Sequence, residues 1–188
     1  MPRSVTSTPT RPLPLLLLLA ILAGCQRSDD TAMAARGEID HHASVQTTVR
    51  VTIKAPPALV WTVLSDIAHW PVWQPDIQAT SIVEPIGTDT PFQWTTPGGT
   101  ISSRIVLFEP GRRLAWIGHL LVFRAIHVWM LAVLLNGETE VTTTESLSGW
   151  PITLFYSSDE LRQSDQRWLD MLRQEVERRA ASASPSRG

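Results

Sequence analysis

Residues 123–147, FRAIHVWMLAVLLNGETEVTTTESL, carry the strongest indication of the fold in this 188-residue chain. The run from Phe123 to Leu135 is apolar on both faces, which is typical of a central strand covered on two sides. Asn136-Gly137 follows it and is the strongest short-range hairpin signal in the chain. From Glu138 to Leu147 the residues alternate in character, as they do in a strand with one buried face. The stretch therefore predicts two antiparallel strands joined by a tight turn.

The region from Ser44 to Asp76 predicts one more strand and two short helices. Ser44 to Ile53 alternates between apolar and polar residues and predicts a strand. The prolines at positions 56 and 57 end that strand and suit the first turn of a helix, in which Val60, Leu64 and Ile67 repeat at helical spacing. The segment from Trp70 to Asp76 is too rich in proline for a long helix, so we expect a single turn there.

Four further strand candidates lie between these helices and the central hairpin. Each is bounded by residues that favour turns. The candidates are Thr80 to Glu84, Pro91 to Thr95, Ile101 to Phe108 and Leu114 to Gly118.

A long helix is predicted at the C-terminal end. Ser157 and Glu160 have the spacing of a capping box, which marks a helix start. Beyond it, large apolar residues form one stripe at helical spacing: Leu161, Trp168, Leu172 and Val176. From Ala180 to Gly188 the chain is rich in Ala, Ser and Pro, and we expect it to be frayed.

The order of elements predicts an α+β fold in which a curved antiparallel sheet wraps around a long C-terminal helix, with two short helices after the first strand. The domain is predicted to span residues 44–181, followed by a disordered tail at 182–188.

The first 25 residues have the layout of a secretory signal. Arg3 and Arg11 precede an apolar run from Leu13 to Ala23 that is short for a membrane span. The run ends in Leu22-Ala23-Gly24-Cys25, which resembles the lipobox of bacterial lipoproteins. An uncleaved transmembrane anchor and an ordinary signal peptide with an incidental cysteine are the alternatives.

The lipobox resemblance implies cleavage after Gly24 and acylation of Cys25. Residues 1–24 would then be a signal peptide, and residues 25–43 a lipidated cysteine followed by a flexible tether. In the Gram-negative sorting rule Asp after the cysteine retains a lipoprotein at the inner membrane, so Gln26 implies the outer membrane, facing the periplasm. We therefore expect a lipid-anchored protein of the cell envelope.

Several local strings, taken in order, are similar to the SRPBCC superfamily of START-like domains, and most to its polyketide cyclase/dehydrase and lipid-transport group. They are APPALVW from Ala55, the Trp70-Pro71-x-Trp73-x-Pro75 segment, Phe92-x-Trp94, EPGRRLAW from Glu109, AIHVW from Ala125 and ESLSG from Glu145. The similarity covers roughly Val49 to Glu177. It implies a helix-grip fold with an apolar cavity between sheet and helix, and no fixed catalytic set.

Composition and motifs exclude several classes of function. The chain has 16 basic and 18 acidic residues and no basic stripe, so nucleic acid is not an expected partner. A single cysteine excludes an intrachain disulfide and a multi-cysteine zinc site. Nucleophile-elbow, HExxH, P-loop and GxGxxG motifs are absent, so we expect no cofactor and no metal.

His127 is the main candidate for acid–base chemistry. It shares a strand face with Trp129, where it could orient a ligand carbonyl or hydroxyl, act as a general base, or serve as an ordinary core histidine with one hydrogen bond. Glu145 shares its strand face with Thr143 and could pair with His127 or with an arginine. Arg104 and Arg124 also interrupt apolar strands, and we expect their charged heads to lie in water.

The eight tryptophans could fill a core or line a pocket for an apolar ligand. In a helix-grip fold the candidate ligand-binding residues are those that converge between sheet and helix: Trp94, Trp116, His127, Trp129, Thr143, Leu161 and Trp168. Trp61, Trp70 and Trp73 are expected to pack the small helices against the sheet edge.

Three functions are compatible with the sequence. The first is a membrane-anchored binder of a hydrophobic small molecule or lipid, held to the membrane through Cys25. The second is a cyclase/dehydrase-like enzyme that uses His127 and Glu145. The third is an interaction module whose core is filled.

Overall fold

The computed structural model of the chain describes residues 29–183. The predicted signal peptide, Cys25 and residues 184–188 lie outside this range. Among the residues that the structure describes, no helix has both the length and the hydrophobicity needed to cross a bilayer.

A seven-stranded antiparallel sheet forms the centre of the described chain, in the order β1-β7-β6-β5-β4-β3-β2. Its strands are β1 (Val45–Ile53), β2 (Ala79–Ile82), β3 (Pro91–Thr96), β4 (Gly99–Glu109), β5 (Arg113–Leu120), β6 (Phe123–Val133) and β7 (Thr139–Ser148). From β2 to β7, each strand pairs with the next strand in the sequence, and β7 also pairs with β1.

Within residues 29–183, four helices accompany the sheet. They are α1 (residues 29–36), α2 (Pro57–Ser65), α3 (Trp70–Trp73) and α4 (Ser158–Ala183), with single 3-10 turns at Ile67–His69 and Ile152–Leu154. Strand, short helices, six strands and a long helix follow one another as predicted. The α+β helix-grip fold is confirmed.

The central hairpin is formed by β6 and β7. Gly137 adopts a φ of 82°, which glycine tolerates without steric cost, and its amide donates to the Leu134 carbonyl at 2.9 Å. Pairing places His127 opposite Glu145 and Trp129 opposite Thr143. The turn chemistry thus sets the register that brings the candidate polar residues side by side.

Helix α4 packs its predicted stripe onto the inner face of the sheet, by which we mean the face that meets α2 and α4. Trp168, Leu172 and Val176 join the main core with residues of α2 and of the strands. The capping box is present, because the Glu160 amide donates to Ser157 Oγ at 3.2 Å and Glu160 Oε2 accepts from the Ser157 amide at 2.8 Å. The helix continues through Ala183, so fraying from Ala180 onward and a tail from 182 are wrong for these positions.

The interpretation of residues 25–43 as a flexible tether is wrong for its described part, residues 29–43. These residues pack on the outer face of the sheet, which is the face opposite α4. Ala34 and Ile39 are buried against five apolar side chains of β4, β5 and β6: Val106, Ala115, Ile117, Ile126 and Val128. The apolar outer face of the central strands is thus shielded from water by α1 and by the segment that follows it.

Arg124 also differs from expectation. Its Nε donates to Asp30 Oδ2 at 2.7 Å, so its guanidinium is paired with α1 instead of lying in water. Arg104 is exposed as expected and donates to the Asp89 carbonyl at 3.3 Å.

Candidate ligand-binding site

A cavity of about 670 Å³ lies between the inner face of the sheet and α4. Its walls are mostly apolar, and it is open at one end. The sheet contributes Trp94, Trp116, Gly118, Ala125, Glu145 and Leu147, and α4 contributes Leu161, Ser164, Asp165 and Trp168. This volume falls in the range of sites that hold small organic ligands.

Indole rings form one wall of the cavity. The ring centroids of Trp94 and Trp168 are 5.5 Å apart, and those of Trp116 and Trp168 are 6.2 Å apart. Trp70 packs beneath them, 5.2 Å from Trp168 and 5.6 Å from Trp116, and is fully buried. Trp70 therefore lies at the centre of this cluster, and the prediction that it packs the small helices against the sheet edge is wrong.

Not every predicted ligand-binding residue reaches the cavity. Trp94, Trp116, Leu161 and Trp168 line it, together with Glu145. His127, Trp129 and Thr143 are fully buried and lie outside the cavity lining.

His127 is held by the strand beside it. Its Nε2 lies 2.7 Å from Thr143 Oγ1, and that hydroxyl donates in turn to the Val128 carbonyl at 3.4 Å. The hydroxyl can accept a proton from Nε2 or donate its own to Nε2, so the contact holds the ring in place with either tautomer. Nδ1 has no hydrogen-bond partner among the described residues.

Two carboxyl groups stand next to Nδ1. Glu145 Oε2 is 3.6 Å from His127 Nδ1, and Asp165 on α4 is hydrogen-bonded to Glu145. Oδ2 of Asp165 has no hydrogen-bond partner within the described chain, and none of the ion pairs found there involves Asp165. We call His127, Glu145 and Asp165 the acid cluster.

Burial controls the charges of the acid cluster. It lowers the pKa of the His127 imidazole to about 3. It raises the pKa of Asp165 to about 7, although the hydrogen bond from Glu145 opposes the change. Burial, with the charge of Asp165 and the hydrogen bond to it, raises the pKa of Glu145 well above its ordinary value. Near neutral pH the histidine is uncharged, so its contact with Glu145 is not an ion pair, and burial favours the protonated form of Glu145.

This arrangement can do three things chemically. A protonated carboxyl group can donate a hydrogen bond to a ligand carbonyl or hydroxyl, and the neighbouring carboxylate can accept one. The pair can also transfer a proton. Finally, one ligand atom from each of the three residues lies within 4.8 Å of the others, a spacing at which they could hold a divalent cation.

Asp165 was missed by the sequence analysis, although the sequence contains a signal for it. It lies four residues after Leu161 and three before Trp168, on the apolar stripe of α4. An acidic residue on the buried stripe of an amphipathic helix is uncommon and marks a polar site in the core.

Comparison with known proteins places this chain in a family. A family model described as polyketide cyclase / dehydrase and lipid transport matches residues 44–155. The chain belongs to this family. The comparison with curated proteins found no match.

Solved structures share the fold. A hypothetical protein of Helicobacter pylori is 24% identical, with a TM-score of 0.66 over 73% of this chain and 91% of the other. A Streptomyces aromatase/cyclase is 19% identical, with a TM-score of 0.62 over 76% of this chain and 98% of the other. A START superfamily protein of Mycobacterium smegmatis is 11% identical, with a TM-score of 0.59 over 71% and 97%. At these identities the likeness shows the fold alone, and it is the family match that confirms the resemblance to the polyketide cyclase/dehydrase and lipid-transport group.

Proposed function

We propose that this family member is a membrane-anchored lipoprotein that binds a hydrophobic small molecule or lipid in the cavity between sheet and α4. The observation that carries the proposal is an indole-lined cavity whose only buried acidic groups, among the described residues that line it, are Glu145 and Asp165. Apolar walls with a few convergent polar groups are typical of small-molecule sites.

The acid cluster supports a ligand with a polar group at one end. A protonated Glu145 can donate to a carbonyl or hydroxyl oxygen, while the apolar remainder of the ligand lies against Trp94, Trp116 and Trp168. A strongly anionic group would meet the negative charge that Asp165 gains above pH 7. We therefore expect a neutral, mostly apolar ligand with one oxygen function.

The anchor in this proposal is Cys25, and its support is the lipobox-like string that ends there. Two or three acyl chains hold a protein stably on a membrane because each buried methylene contributes about 0.8 kcal/mol. Gln26 favours the outer membrane, facing the periplasm, if the host is Gram-negative.

The binding proposal is tested by native mass spectrometry of the lipoprotein, extracted gently from membranes, followed by organic extraction. We expect an apolar molecule to accompany the protein. Ala125→Phe, which places a ring into the cavity, should abolish it, whereas Ala132→Phe on the exposed side of the same strand should not. A ligand-free mass for the unaltered protein, or equal loading of both variants, would contradict the proposal.

A second candidate is a cyclase/dehydrase-like enzyme, and the acid cluster is what favours it. Because Glu145 and Asp165 line the cavity and His127 does not, the carboxyl pair would exchange the proton with the substrate, and the neutral His127 ring would pack behind Glu145. Glu145→Gln keeps the shape of the site and one hydrogen-bond donor. If this variant still binds the ligand but no longer converts it as the unaltered protein does, the enzyme hypothesis is supported. If neither protein converts the ligand, the enzyme hypothesis is wrong.

The third function, an interaction module with a filled core, is not supported. The space between sheet and α4 holds a cavity of about 670 Å³.

A further inference from the structure

Two neighbouring loops border the open end of the cavity, and both expose large apolar side chains. The turn between β5 and β6 presents Leu121, which is 91% exposed, and Val122. The segment between β7 and α4 presents Trp150, which is 87% exposed, with Leu154 and Phe155. We call these five residues the apolar rim. Soluble surfaces seldom group so many large apolar side chains, and such groups mark sites of interaction.

The two loops pack together into one surface. Gly149 adopts a φ of 123°, and a Cβ at this position would lie 2.5 Å from the Val122 carbonyl oxygen, so the loops approach as closely as only glycine allows. The rings of Phe123 and Phe155 are 6.1 Å apart. Leu121 and Phe155 also line the cavity, so the rim and the cavity mouth are continuous.

The N-terminal part of the described chain starts at this same end of the sheet. Asp30 pairs with Arg124, which directly follows Phe123 at the start of β6. From there α1 runs to the opposite end of the sheet, where the Arg36 carbonyl accepts from Arg113 at the start of β5. Residue 29 is therefore close to the apolar rim, and Cys25 precedes it by four residues, which span at most about 14 Å when fully extended.

We propose that the apolar rim docks onto the lipid bilayer that holds the Cys25 acyl chains, so that the cavity mouth opens into the membrane. This inference rests on the lipoprotein proposal. The anchor brings the bilayer within about 14 Å of Asp29, and the rim is the exposed apolar surface at that end. Trp150 has the amphipathic ring that is enriched at membrane interfaces. The occupant of the cavity would then be an apolar molecule that partitions into the bilayer.

The test uses the full chain, matured in cells and reconstituted into phosphatidylethanolamine/phosphatidylglycerol vesicles. An acylated Cys25 sulfur is blocked as a thioether, so a cysteine introduced by Leu121→Cys is the sole free thiol and can carry an environment-sensitive fluorophore. Leu135→Cys is the matched control, since Leu135 is a fully exposed leucine beyond the opposite end of β6. Quenching by lipids brominated on their acyl chains then measures contact with the hydrocarbon.

We expect the label at position 121 to be quenched several-fold more than the label at position 135, with emission shifted to the blue. Equal quenching at both positions, in protein whose intact mass includes the diacylglyceryl group, would overturn the docking and leave the anchor standing. An intact mass without the lipid would overturn the lipoprotein proposal and the docking with it. The mass therefore separates the two failures.

Discussion

Asp165 occupies a position on α4 where the helical stripe otherwise places apolar residues. Its carboxyl group meets Glu145 in a site from which most water is excluded, and none of the ion pairs in the described chain neutralises it. A buried charge without a partner costs several kcal/mol, so such a group gains a proton instead. At the residue scale, burial therefore gives the site its character, because it favours the uncharged forms of both Asp165 and His127.

The protonation of Asp165 predicts how stability depends on pH. The folded state keeps the proton up to about pH 7, whereas the unfolded chain releases it near 3.8. Between these values the folded state binds more protons, so the free energy of unfolding falls as pH rises, by up to about 1.4 kcal/mol per pH unit for one group. Asp165→Asn removes this fall in the free energy of unfolding. As pH rises from 3.8 to about 7, the free energy of unfolding of the variant should therefore increase relative to that of the unaltered protein.

Urea unfolding of both proteins across that range measures the difference between them. The comparison is necessary because His127, with its pKa lowered from 6.5 to about 3, acts in the opposite sense and loses stability as pH falls. Asp170→Asn, on a half-buried acid of the same helix, is the control. A difference between Asp165→Asn and the unaltered protein that stays constant with pH would contradict the assignment.

Thr143 is predicted to fix the orientation of His127. Thr143→Val keeps the shape of the side chain but leaves Nε2 of the buried ring without its hydrogen-bond partner, which should cost about 1–3 kcal/mol of unfolding free energy. Thr142→Val, on the outward side of the same strand, should change stability by no more than about 0.5 kcal/mol. Denaturant unfolding at pH 7 compares them, and equal effects would show that the histidine does not depend on this hydroxyl.

At the scale of elements, β1, β7 and α4 were predictable because burial imposes a period on one face of each, and β6 because it is a long apolar run bounded by turn residues. The packing of segment 29–43 was not predicted, because α1 is short and contacts the sheet through small or isolated apolar residues such as Ala34 and Ile39. The indication that this segment packs on the sheet lies in β6. Phe123 to Leu135 is apolar on both faces, which indicates a cover on each, and residues 29–43 supply the outer cover over Ile126 and Val128, whereas the outer face beyond them is exposed from Met130 onward.

This assignment of 29–43 predicts an asymmetry between adjacent alanines of α1. Ala34 is fully buried against the sheet, whereas Ala35 is exposed. Ala34→Asp places a carboxylate among apolar side chains and should lower the unfolding free energy by about 2–4 kcal/mol. Ala35→Asp should change it by no more than about 0.5 kcal/mol. Thermal unfolding of the two variants measures the contrast, and a flexible tether would give none.

At the scale of the whole molecule, the fold followed from the order of elements, whereas the cavity did not. The same indoles could have filled the space between sheet and helix, and their side-chain positions depend on packing between residues far apart in the sequence. Trp70 illustrates the difficulty, because its contacts with Trp116 and Trp168 join α3, β5 and α4. Asp165 and Glu145 likewise meet only once α4 lies across the sheet.

The cavity mouth and the apolar rim lie at the end of the sheet where the described chain begins, and together with the proposed lipid anchor they predict how the cavity is filled. The double variant Leu121→Asp/Phe155→Asp removes two exposed side chains, so unfolding free energy should change by no more than about 1 kcal/mol. Matured in cells as the proposed lipoprotein and reconstituted in vesicles, the variant should nevertheless acquire apolar ligand several-fold less than the unaltered protein, because two carboxylates at the mouth oppose contact with hydrocarbon. The control is Leu135→Asp, a charge added at the opposite end. Native mass spectrometry after detergent extraction measures occupancy, and equal occupancy in both variants would mean that the ligand enters from water, independently of the rim.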